Sequence, residues 1–368
     1  MKYRLGEICD VVSGGTPSRA TAEFWDGGTI PWIKIGNIQR KYVDEADEYI
    51  TQAGLEGSSA KMLSAGTILF TIFATLGEVG ILTIEACTNQ AIAGITIKNQ
   101  SDILTDYLYY FLKSQKSCIA ALGRGVAQNN INLSILRNFE VPIPDLPMQK
   151  QIVAILDKTA KVVEVRQQQL QQLDELVKAR FVELFGDGNH PHIALIDLII
   201  EGAGLSYGIV QPGDDGTGDM GVLRPVDMVD GKISTASIKY IDRSIGDGFK
   251  KTELYGDELL ITVRGTTGIT ALTDIRFNGM NVTRGIAVVR YDRNKINPVY
   301  LNAYLNTDES QRYIQEHTRG ATLQQINLSD LRVQQIMVPP LALQEQMAAF
   351  IEQTDKSKVV LQDEVNGL

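Results

Sequence analysis

The sequence predicts an α+β protein with an internal repeat, in which two similar strand-rich globular domains are separated by two long helices that form an antiparallel coiled coil. Three observations lead to this fold class. A block of residues recurs at a constant offset of 195 residues. Short apolar, β-branched runs fill each half, and a long amphipathic segment follows each copy of the block. We therefore expect a pseudo-twofold axis to relate the two halves.

The repeat is clearest at an Ile-Asn-Leu-Ser sequence, which occurs at residues 131–134 and again at 326–329. Each copy is preceded by Arg-Gly and followed by Leu-Arg. The match continues without a gap through Pro144 and Pro339 to Gln149 and Gln344. An ungapped match of this length indicates a duplicated unit.

The globular halves are predicted from short runs of apolar residues. Residues 67–72, 91–97, 259–263 and 285–289 are β-branched runs bounded by Gly, Asn or Asp, which predicts buried strands. Helical spacing of apolar residues appears at 107–115 and 298–304. Prolines at 142, 144, 339 and 340 then end the extended pattern just before a new helix.

The segment from residue 149 to 185 contains neither Pro nor Gly, and its apolar residues follow a three-four spacing. This pattern predicts one amphipathic helix of roughly 50 Å, which is longer than a small domain can cover. An apolar stripe after Gln344 supplies a partner helix, with a single solvated helix as the alternative. The predicted boundaries are a first globular domain (1–147), a spacer helix (148–186), a second globular domain (187–343) and a short second helix (344–368).

Composition narrows the functional classes. The chain has 368 residues, of which 44% are hydrophobic, so it can bury sizeable cores. Its formal net charge of −9 disfavours nucleic-acid binding through phosphate neutralisation alone, although local base contacts remain compatible with it. The sequence shows neither an apolar run of about 18 residues nor a signal-peptide pattern, which favours the cytoplasm.

The residues that usually carry chemistry are sparse. We find no phosphate-binding loop, no GxSxG or HExxH motif and no Asn-Pro-Pro-aromatic methyltransferase motif. The three histidines offer few candidates for acid-base catalysis. The three cysteines lack CxxC spacing and are expected to be buried thiols rather than zinc ligands or disulfides. They are Cys9, Cys87 and Cys118. The sequence therefore predicts neither a catalytic nor a metal site.

Two segments of the first half resemble the opening of target recognition domains in the specificity subunits of Type I restriction-modification systems. They are Ser-Gly-Gly-Thr-Pro at residues 13–17 and Ile-Pro-Trp-Ile-Lys-Ile-Gly-Asn-Ile at 30–38. A second variant is found at 204–213 and 223–227, and the repeated blocks with their tails are similar to that family's conserved regions. The resemblance covers essentially the whole chain.

This resemblance implies a noncatalytic subunit that reads double-stranded DNA. Its two target recognition domains would each read one half of a split, asymmetric target, and its helices would dock methyltransferase subunits, two being expected. Restriction and translocase subunits would join through the complex. No cofactor is expected in this chain, and S-adenosylmethionine, ATP and Mg are expected in the partner subunits. An enzyme with an unrecognised site and a protein scaffold that never reads DNA are the alternatives.

Candidate DNA contacts follow from the chemistry of the major groove, where Arg and Lys suit guanine and Asn and Gln suit adenine. In the first half the candidates on predicted loops are Arg19, Lys34, Asn37, Arg40, Lys41, Gln90, Arg124 and Gln128. In the second half they are Gln211, Arg224, Lys250, Lys251, Arg264, Arg284, Arg319 and Gln324. Arg264 and Arg284 rank highest because they interrupt or flank apolar strands, where an unpaired guanidinium is costly. Solvated surface side chains are the alternative, and for Arg124 and Arg319 a bracing role at the domain–helix junction.

Overall fold

The computed structural model describes residues 1–123, 131–186, 188–211, 213, 218–229 and 231–367. The chain divides into two compact units, Met1–Glu164 and Val165–Leu368, and the division falls inside the longest helix. Each unit contains strands and helices, which confirms the α+β class. None of the helices in the described ranges has the length and apolar character of a membrane span.

Unit 1 contains ten strands among its described residues. They are β1 (Lys2–Arg4), β2 (Cys9–Ser13), β3 (Ile30–Ile33), β4 (Tyr42–Val43), β5 (Glu48–Ile50), β6 (Ile68–Thr71), β7 (Val79–Leu82), β8 (Cys87–Thr88), β9 (Ile92–Ile97) and β10 (Glu140–Pro142). The main sheet has the order β2-β9-β6-β7-β4. A three-stranded sheet has the order β5-β3-β8, and β1 pairs with β10.

Unit 2 has a similar set of sheets, and the two edge strands of its main sheet have only two residues each. Its strands are β11 (His192–Ala194), β12 (Ser206–Tyr207), β13 (Met220–Leu223), β14 (Met228–Val229), β15 (Lys232–Ile233), β16 (Lys239–Ile241), β17 (Leu259–Leu272), β18 (Asn281–Val282), β19 (Ile286–Val289), β20 (Gln324–Gln325) and β21 (Gln335–Met337). The sheets have the orders β12-β19-β17-β20 and β16-β13-β18, with the pairs β14-β15 and β11-β21.

Helices lie between the strands in both units. They are α1 (Leu5–Ile8), α2 (Gln52–Glu56), α3 (Thr105–Ser114), α4 (Lys116–Gly123), α5 (Leu133–Arg137), α6 (Leu146–Phe185), α7 (Arg243–Gly246), α8 (Pro298–Leu305), α9 (Asp308–His317), α10 (Leu328–Val333) and α11 (Leu341–Asn366). Short 3₁₀ turns lie at Ala22–Phe24, Ile35–Asn37, Leu195–Leu198, Pro225–Asp227, Asp247–Thr252 and Ile275–Phe277.

Several strand pairings are the same in the two units. Strand β3 pairs antiparallel with β5 and parallel with β8, and β13 pairs antiparallel with β16 and parallel with β18. In the same way β2 pairs antiparallel with β9, and β12 with β19. The repeated Leu-Arg sequence has the same contact in both units, because Arg137 donates to the carbonyl of Val11 at 2.6 Å and Arg332 to that of Leu205 at 2.9 Å. The pseudo-twofold axis itself stays a prediction.

One predicted strand is much longer than its sequence pattern suggested. The run at 259–263 is only the first part of β17, which continues to Leu272. Gly265 and Gly268 have positive φ values of 89° and 87°, so the strand bends at both residues without steric cost. Apolar patterning missed this part because the bend is built from Gly and Thr.

Helix α6 confirms the long helix but begins at Leu146, three residues earlier than predicted. Asp145 caps it, because its Oδ1 accepts a hydrogen bond from the backbone N–H of Met148 at 3.0 Å. Pro147 is tolerated because the first turn of a helix has no acceptor for its missing N–H.

The antiparallel pairing of α6 with α11 is visible inside unit 2. Arg166 contacts Glu364 at 2.8 Å and Asp174 contacts Lys358 at 2.7 Å, so the residue numbers run in opposite directions. Toward its beginning, α6 leaves part of its predicted apolar stripe open, since Ile155 is 64% exposed and Val162 is 42% exposed. The antiparallel pairing predicted from the two apolar stripes is thus confirmed for the part of α6 that lies in unit 2.

The cysteines differ from the expectation at one position. Cys9 and Cys87 are buried, and burial raises the pKa of Cys9 to about 12 and that of Cys87 to about 11. Cys118 is exposed, because it lies on the solvent side of α4. No group of three or more potential metal ligands occurs among the described residues.

Candidate nucleic-acid interface

Four loops of unit 1 meet at the ends of its strands, and we call residues 14–17, 34–37, 72–77 and 89–91 the first loop cluster. Backbone hydrogen bonds join their ends. Gly15 N–H donates to the carbonyl of Thr88 at 2.9 Å, Asn89 N–H to that of Ile33 at 3.1 Å, and the N–H of residue 72 to the carbonyl of residue 91 at 2.8 Å. The loops are therefore held on one backbone frame.

Unit 2 has the same frame in its second loop cluster, which consists of residues 208–211, 224–227 and 283–285 together with the bent part of β17 at 263–268, which we also call a loop. Ile209 N–H donates to the carbonyl of Val282 at 2.8 Å and Thr283 N–H to that of Leu223 at 2.9 Å. The third bond runs from the N–H of residue 263 to the carbonyl of residue 285 at 2.8 Å. Each cluster is thus held together by three backbone hydrogen bonds, and the three bonds have equivalent positions in the two units.

Glycine is required where the first loop of each cluster crosses the neighbouring strand. A Cβ at Gly14 would lie 2.2 Å from the carbonyl oxygen of Thr88, and a Cβ at Gly208 would lie 1.9 Å from that of Val282. No side chain fits at such distances. Gly14 and Gly208 therefore each stand at a close approach of two backbone segments.

The cationic side chains of Lys34, in the first loop cluster, and of Arg19, just outside it, are paired. Lys34 Nζ lies 2.7 Å from Glu48 Oε1, and Arg19 lies 2.5 Å from Glu48 Oε2 while its guanidinium covers the Trp25 ring at 3.7 Å. The hydrogen bond to Glu48 raises the pKa of Lys34, and the hydrogen bonds from Arg19 and Lys34 lower the pKa of Glu48. One carboxylate therefore partly neutralises both candidates.

The amide side chains of the first cluster also have partners. Asn37 Oδ1 accepts from Lys34 N–H at 2.8 Å and so closes the 3₁₀ turn. Gln90 is hydrogen-bonded to Thr16 Oγ1, which links two loops of the cluster. These contacts hold the loops in place and leave the remaining amide groups for a ligand.

In the second cluster the guanidinium of Arg224 is already bound within the protein. Its guanidinium makes two hydrogen bonds, at 3.1 and 3.0 Å, with the buried carboxylate of Asp227, which stands at the position of Asn37. By contrast, the side chains of Arg264 and Arg284 make neither a hydrogen bond nor an ion pair in the described part of the chain. Arg284 is exposed and Arg264 is half-buried. These two guanidinium groups are the cations that the second cluster presents.

Of three other candidates of unit 2, Gln324 and Arg319 lie beside the second cluster and Gln211 lies within it. Strand β20 pairs Gln324 with Gly265, and Arg319 forms a bridge with the next residue of that strand. Arg319 also lies 3.7 Å from Asp330. Gln211 is exposed at the end of the first loop.

Lys250 and Lys251 are exposed on the 3₁₀ turn before β17. Thr252 ties this turn to β18 through a 2.8 Å hydrogen bond with Asn281. Both lysines therefore stand beside the second cluster and outside it.

Two candidates of unit 1 lie away from the loops. Lys41 Nζ is 2.7 Å from Asp106 and 2.6 Å from Asp157 of α6, and its side chain is only 17% exposed. Burial lowers the pKa of Lys41, but the two carboxylates outweigh it and raise the pKa above its usual value. Lys41 therefore belongs to the domain–helix junction, while Arg40 is exposed. Arg124 and Gln128 lie outside the described residues.

Sequence reasoning missed the loop at residues 72–77. Its exposed Phe73 follows Thr71 by two residues, as Arg264 follows Thr262 in the second cluster. The sequence does contain a signal for this loop, because Thr71 and Gly77 have the same separation as Thr262 and Gly268.

Comparison with known proteins decides the family. The sequence-family model for the Type I restriction modification DNA specificity domain matches residues 1–175 and 219–366. The chain belongs to this family. The resemblance found in the sequence is thereby confirmed.

Individual relatives are distant and cover different shares. The EcoR124I/EcoR124II specificity subunit of Escherichia coli is 33% identical over 160 residues, which is 42% of this chain and 39% of that protein. The MjaIX specificity subunit of Methanocaldococcus jannaschii is 22% identical over an alignment covering 95% of this chain and 85% of that protein.

Solved structures support the fold. The S subunit of a Type I restriction-modification system from M. genitalium superposes with a TM-score of 0.55 at 15% identity, over 100% of this chain and 92% of that one. A chain from a study of type I R-M complex assembly gives a TM-score of 0.51 at 16% identity, covering 93% of that chain.

Proposed function

We propose that this chain reads a split, asymmetric target in double-stranded DNA, with one half of the target read by each unit of a Type I specificity subunit. The observation that carries the proposal is the pair of loop clusters. They share one backbone frame, and they differ in the side chains presented, with Arg264 and Arg284 in one and Phe73 and Gln90 in the other. A repeated frame with different exposed groups suits two different base sequences.

We further propose that helices α6 and α11 dock two methyltransferase subunits and set the gap between the half-sites. Support comes from apolar side chains that the helices leave exposed, among them Ile155 and Val162 on α6 and Val360 on α11. At about 1.5 Å per residue, the 40 residues of α6 make a rod of about 60 Å. Exposed apolar groups on a rigid helix are suited to a helical partner.

The catalytic steps belong, in this proposal, to the partner subunits. S-adenosylmethionine would be bound by the methyltransferase subunits, and ATP and Mg by the restriction and translocase subunits that join the complex. The lack of nucleotide-binding and methyltransferase motifs in the sequence supports a noncatalytic role for this chain.

The main experiment is methylome sequencing of a host that expresses the chain with its methyltransferase subunit. We expect methylation at a target made of two base blocks separated by a nonspecific gap of about five to eight base pairs. Arg264→Ala or Arg284→Ala should relax one block only, by about 1 to 3 kcal/mol if the contact is bidentate to guanine. The matched control is Arg276→Ala, because Arg276 is exposed, pairs with Asp274 and lies outside the cluster. Methylation without sequence preference would refute the proposal.

The net charge of −9 gives a second test. Because so acidic a chain gains little from phosphate neutralisation, binding by the chain alone should be weak and should tighten when the methyltransferase subunit adds phosphate contacts. A salt titration with and without that subunit measures the effect. Equal affinities in both titrations would contradict it.

The gap is tested by inserting four residues between Lys161 and Val162, before the part of α6 that pairs with α11. The insertion adds about 6 Å, or one helical turn. The preferred gap should lengthen by one or two base pairs while both base blocks stay the same. A fixed gap would show that the helix is not the ruler.

A further inference from the structure

The loop at residues 72–77 and its counterpart at 263–268 have the same internal frame. Thr71 Oγ1 accepts a hydrogen bond from Glu78 N–H at 2.8 Å, and Thr262 Oγ1 accepts one from Ile269 N–H at 2.9 Å. Both loops therefore close over a span of seven residues by the same contact. Residues can be compared between them position by position.

Each loop is fixed to the body of its unit at the residue before its tip. Ile131 N–H donates to the carbonyl of Ile72 at 3.0 Å, and Ile326 N–H donates to the carbonyl of Val263 at 3.0 Å. Ile72 and Val263 are buried. The tip that follows is thus held on an anchored backbone.

At the tip, Phe73 and Ala74 of unit 1 occupy the positions of Arg264 and Gly265 of unit 2. Ala74 has a φ of 58° and Gly265 a φ of 89°. Ala74 is the one non-glycine residue with positive φ among those that the structure describes. A left-handed backbone is unfavourable for alanine, and unit 1 has it nevertheless. The backbone of the tip is therefore alike in the two units, whereas the side chain before it is a cation in unit 2 and an aromatic ring in unit 1.

The ring of Phe73 is 40% exposed, whereas Phe70, three residues earlier, is fully buried. Phe73 belongs to none of the buried apolar clusters of the described chain, although its neighbours Ile72 and Leu76 do. An exposed ring on an anchored tip does not contribute to the core. It is placed to contact a ligand.

We propose that Phe73 reads the C5 methyl group of a thymine in the half-site bound by unit 1. The unpaired guanidinium of Arg264 suits the guanine edge in the major groove, and an equivalent tip would present Phe73 to the same groove of its own half-site. The apolar group displayed in that groove is the thymine methyl. The inference rests on the proposed function, because it takes DNA as the ligand of both loop clusters.

The test uses the full chain in complex with its methyltransferase subunit and duplexes carrying the target found by methylome sequencing. The block read by unit 1 is the one that Arg264→Ala leaves unchanged. Each thymine of that block, on either strand, is replaced in turn by deoxyuridine, which removes only the methyl group. At one position we expect wild-type affinity to fall about fourfold, the value of one buried methyl group.

Phe73→Ala should abolish this difference between thymine and deoxyuridine at that position. Phe73→Leu, which keeps an apolar group, should retain part of it. Ala74→Gly, which copies the tip of unit 2, should retain all of it, so that loss of loop shape is separated from loss of the ring. Arg264→Ala should also leave it intact.

The inference is overturned if wild type ignores the methyl group at every thymine, if Phe73→Ala keeps the full discrimination, or if the block contains no T·A pair. Failure of the proposed function has a different result, since methylation would then show no two-block target and no block could be assigned to unit 1.

Discussion

The two units attach to the long helix by different physical means. In unit 1, Lys41 bridges Asp106 of α3 and Asp157 of α6, and Tyr110 donates to Asp157 at 2.6 Å. In unit 2 the contact with α6 is aromatic and lies at the other end of that helix. Phe181 and Phe185 of α6 pack on Tyr300 of α8, with ring centroids 6.0 and 5.3 Å apart.

Each unit also has a buried glutamine in the first turn of the helix that follows its globular domain. The buried Gln149 accepts from Leu104 N–H at 2.9 Å and donates to the carbonyl of Pro144 at 2.9 Å. Gln344 accepts from Asn297 N–H at 2.8 Å and donates to the carbonyl of Pro339 at 2.7 Å. The duplicated glutamine fixes where each globular domain meets the helix that follows it. The contacts with α6 differ, since unit 1 has the charged clamp of Lys41, Asp106 and Asp157 and unit 2 has the aromatic cluster of Phe181, Phe185 and Tyr300.

The largest expected effect is at the aromatic cluster. Tyr300→Ala removes a fully buried ring and should destabilise unit 2 by about 3 to 5 kcal/mol. Urea unfolding of the full chain measures the loss, and hydrogen exchange of α8 locates it. Tyr300→Phe keeps the ring and removes only the 2.9 Å hydrogen bond to the carbonyl of Met337, so its cost should be about 1 kcal/mol. Equal costs for both variants would show that ring packing is not what holds this junction.

The shared glutamines should come next. Gln149→Ala and Gln344→Ala each leave buried backbone groups without a partner, at a cost of about 1 to 3 kcal/mol. Because the contacts are equivalent, the two variants should lose similar amounts, each in its own unit by hydrogen exchange. A large difference between them would mean that the repeat preserves the residue without preserving its role.

Breaking the charged clamp should cost less. Lys41→Met should destabilise unit 1 by about 1 kcal/mol, because Asp106 and Asp157 are partly exposed and water replaces much of the lost interaction. Added salt should reduce the difference between wild type and variant, as urea unfolding at two ionic strengths will show. A cost unaffected by salt would indicate that packing of the lysine stem dominates.

The smallest effect is the pH dependence of the charged clamp in unit 1. Burial raises the pKa of Asp157, but hydrogen bonds from Lys41 and Tyr110 outweigh it and leave the pKa below its usual value. Its contribution is therefore present above the unfolded pKa of about 3.9 and is lost as the pH falls through the folded value. The raised pKa of Lys41 acts oppositely, with stability lost only as the pH rises above about 10.4.

The difference between wild type and Lys41→Met should accordingly shrink between pH 7 and pH 3 in urea unfolding. The cost of Tyr300→Ala should change little over the same range, because no carboxylate contributes to the ring contacts that it removes. A parallel pH dependence in both variants would remove the distinction between the two junctions.

The sequence by itself determined the duplication and the features that depend on local periodicity. The duplication follows from the ungapped match at an offset of 195 residues. The buried strands and the helix ending at Phe185 follow from the spacing of apolar residues and from the positions of Gly and Pro. The spacing also shows which face of α6 is apolar, but it does not show which neighbour packs on that face.

Only the tertiary structure decided which candidate side chains are available to a ligand. Lys41 and Asp157 are 116 residues apart in sequence, and nothing local to Lys41 shows that this carboxylate binds it. Arg224 is likewise paired with Asp227, whereas Arg264 is not paired within the described chain. The equivalence of Phe73 and Arg264 emerged from hydrogen bonds that close their loops. The physical reason is that pairing energies depend on distance in space, which a linear pattern of residue types does not specify.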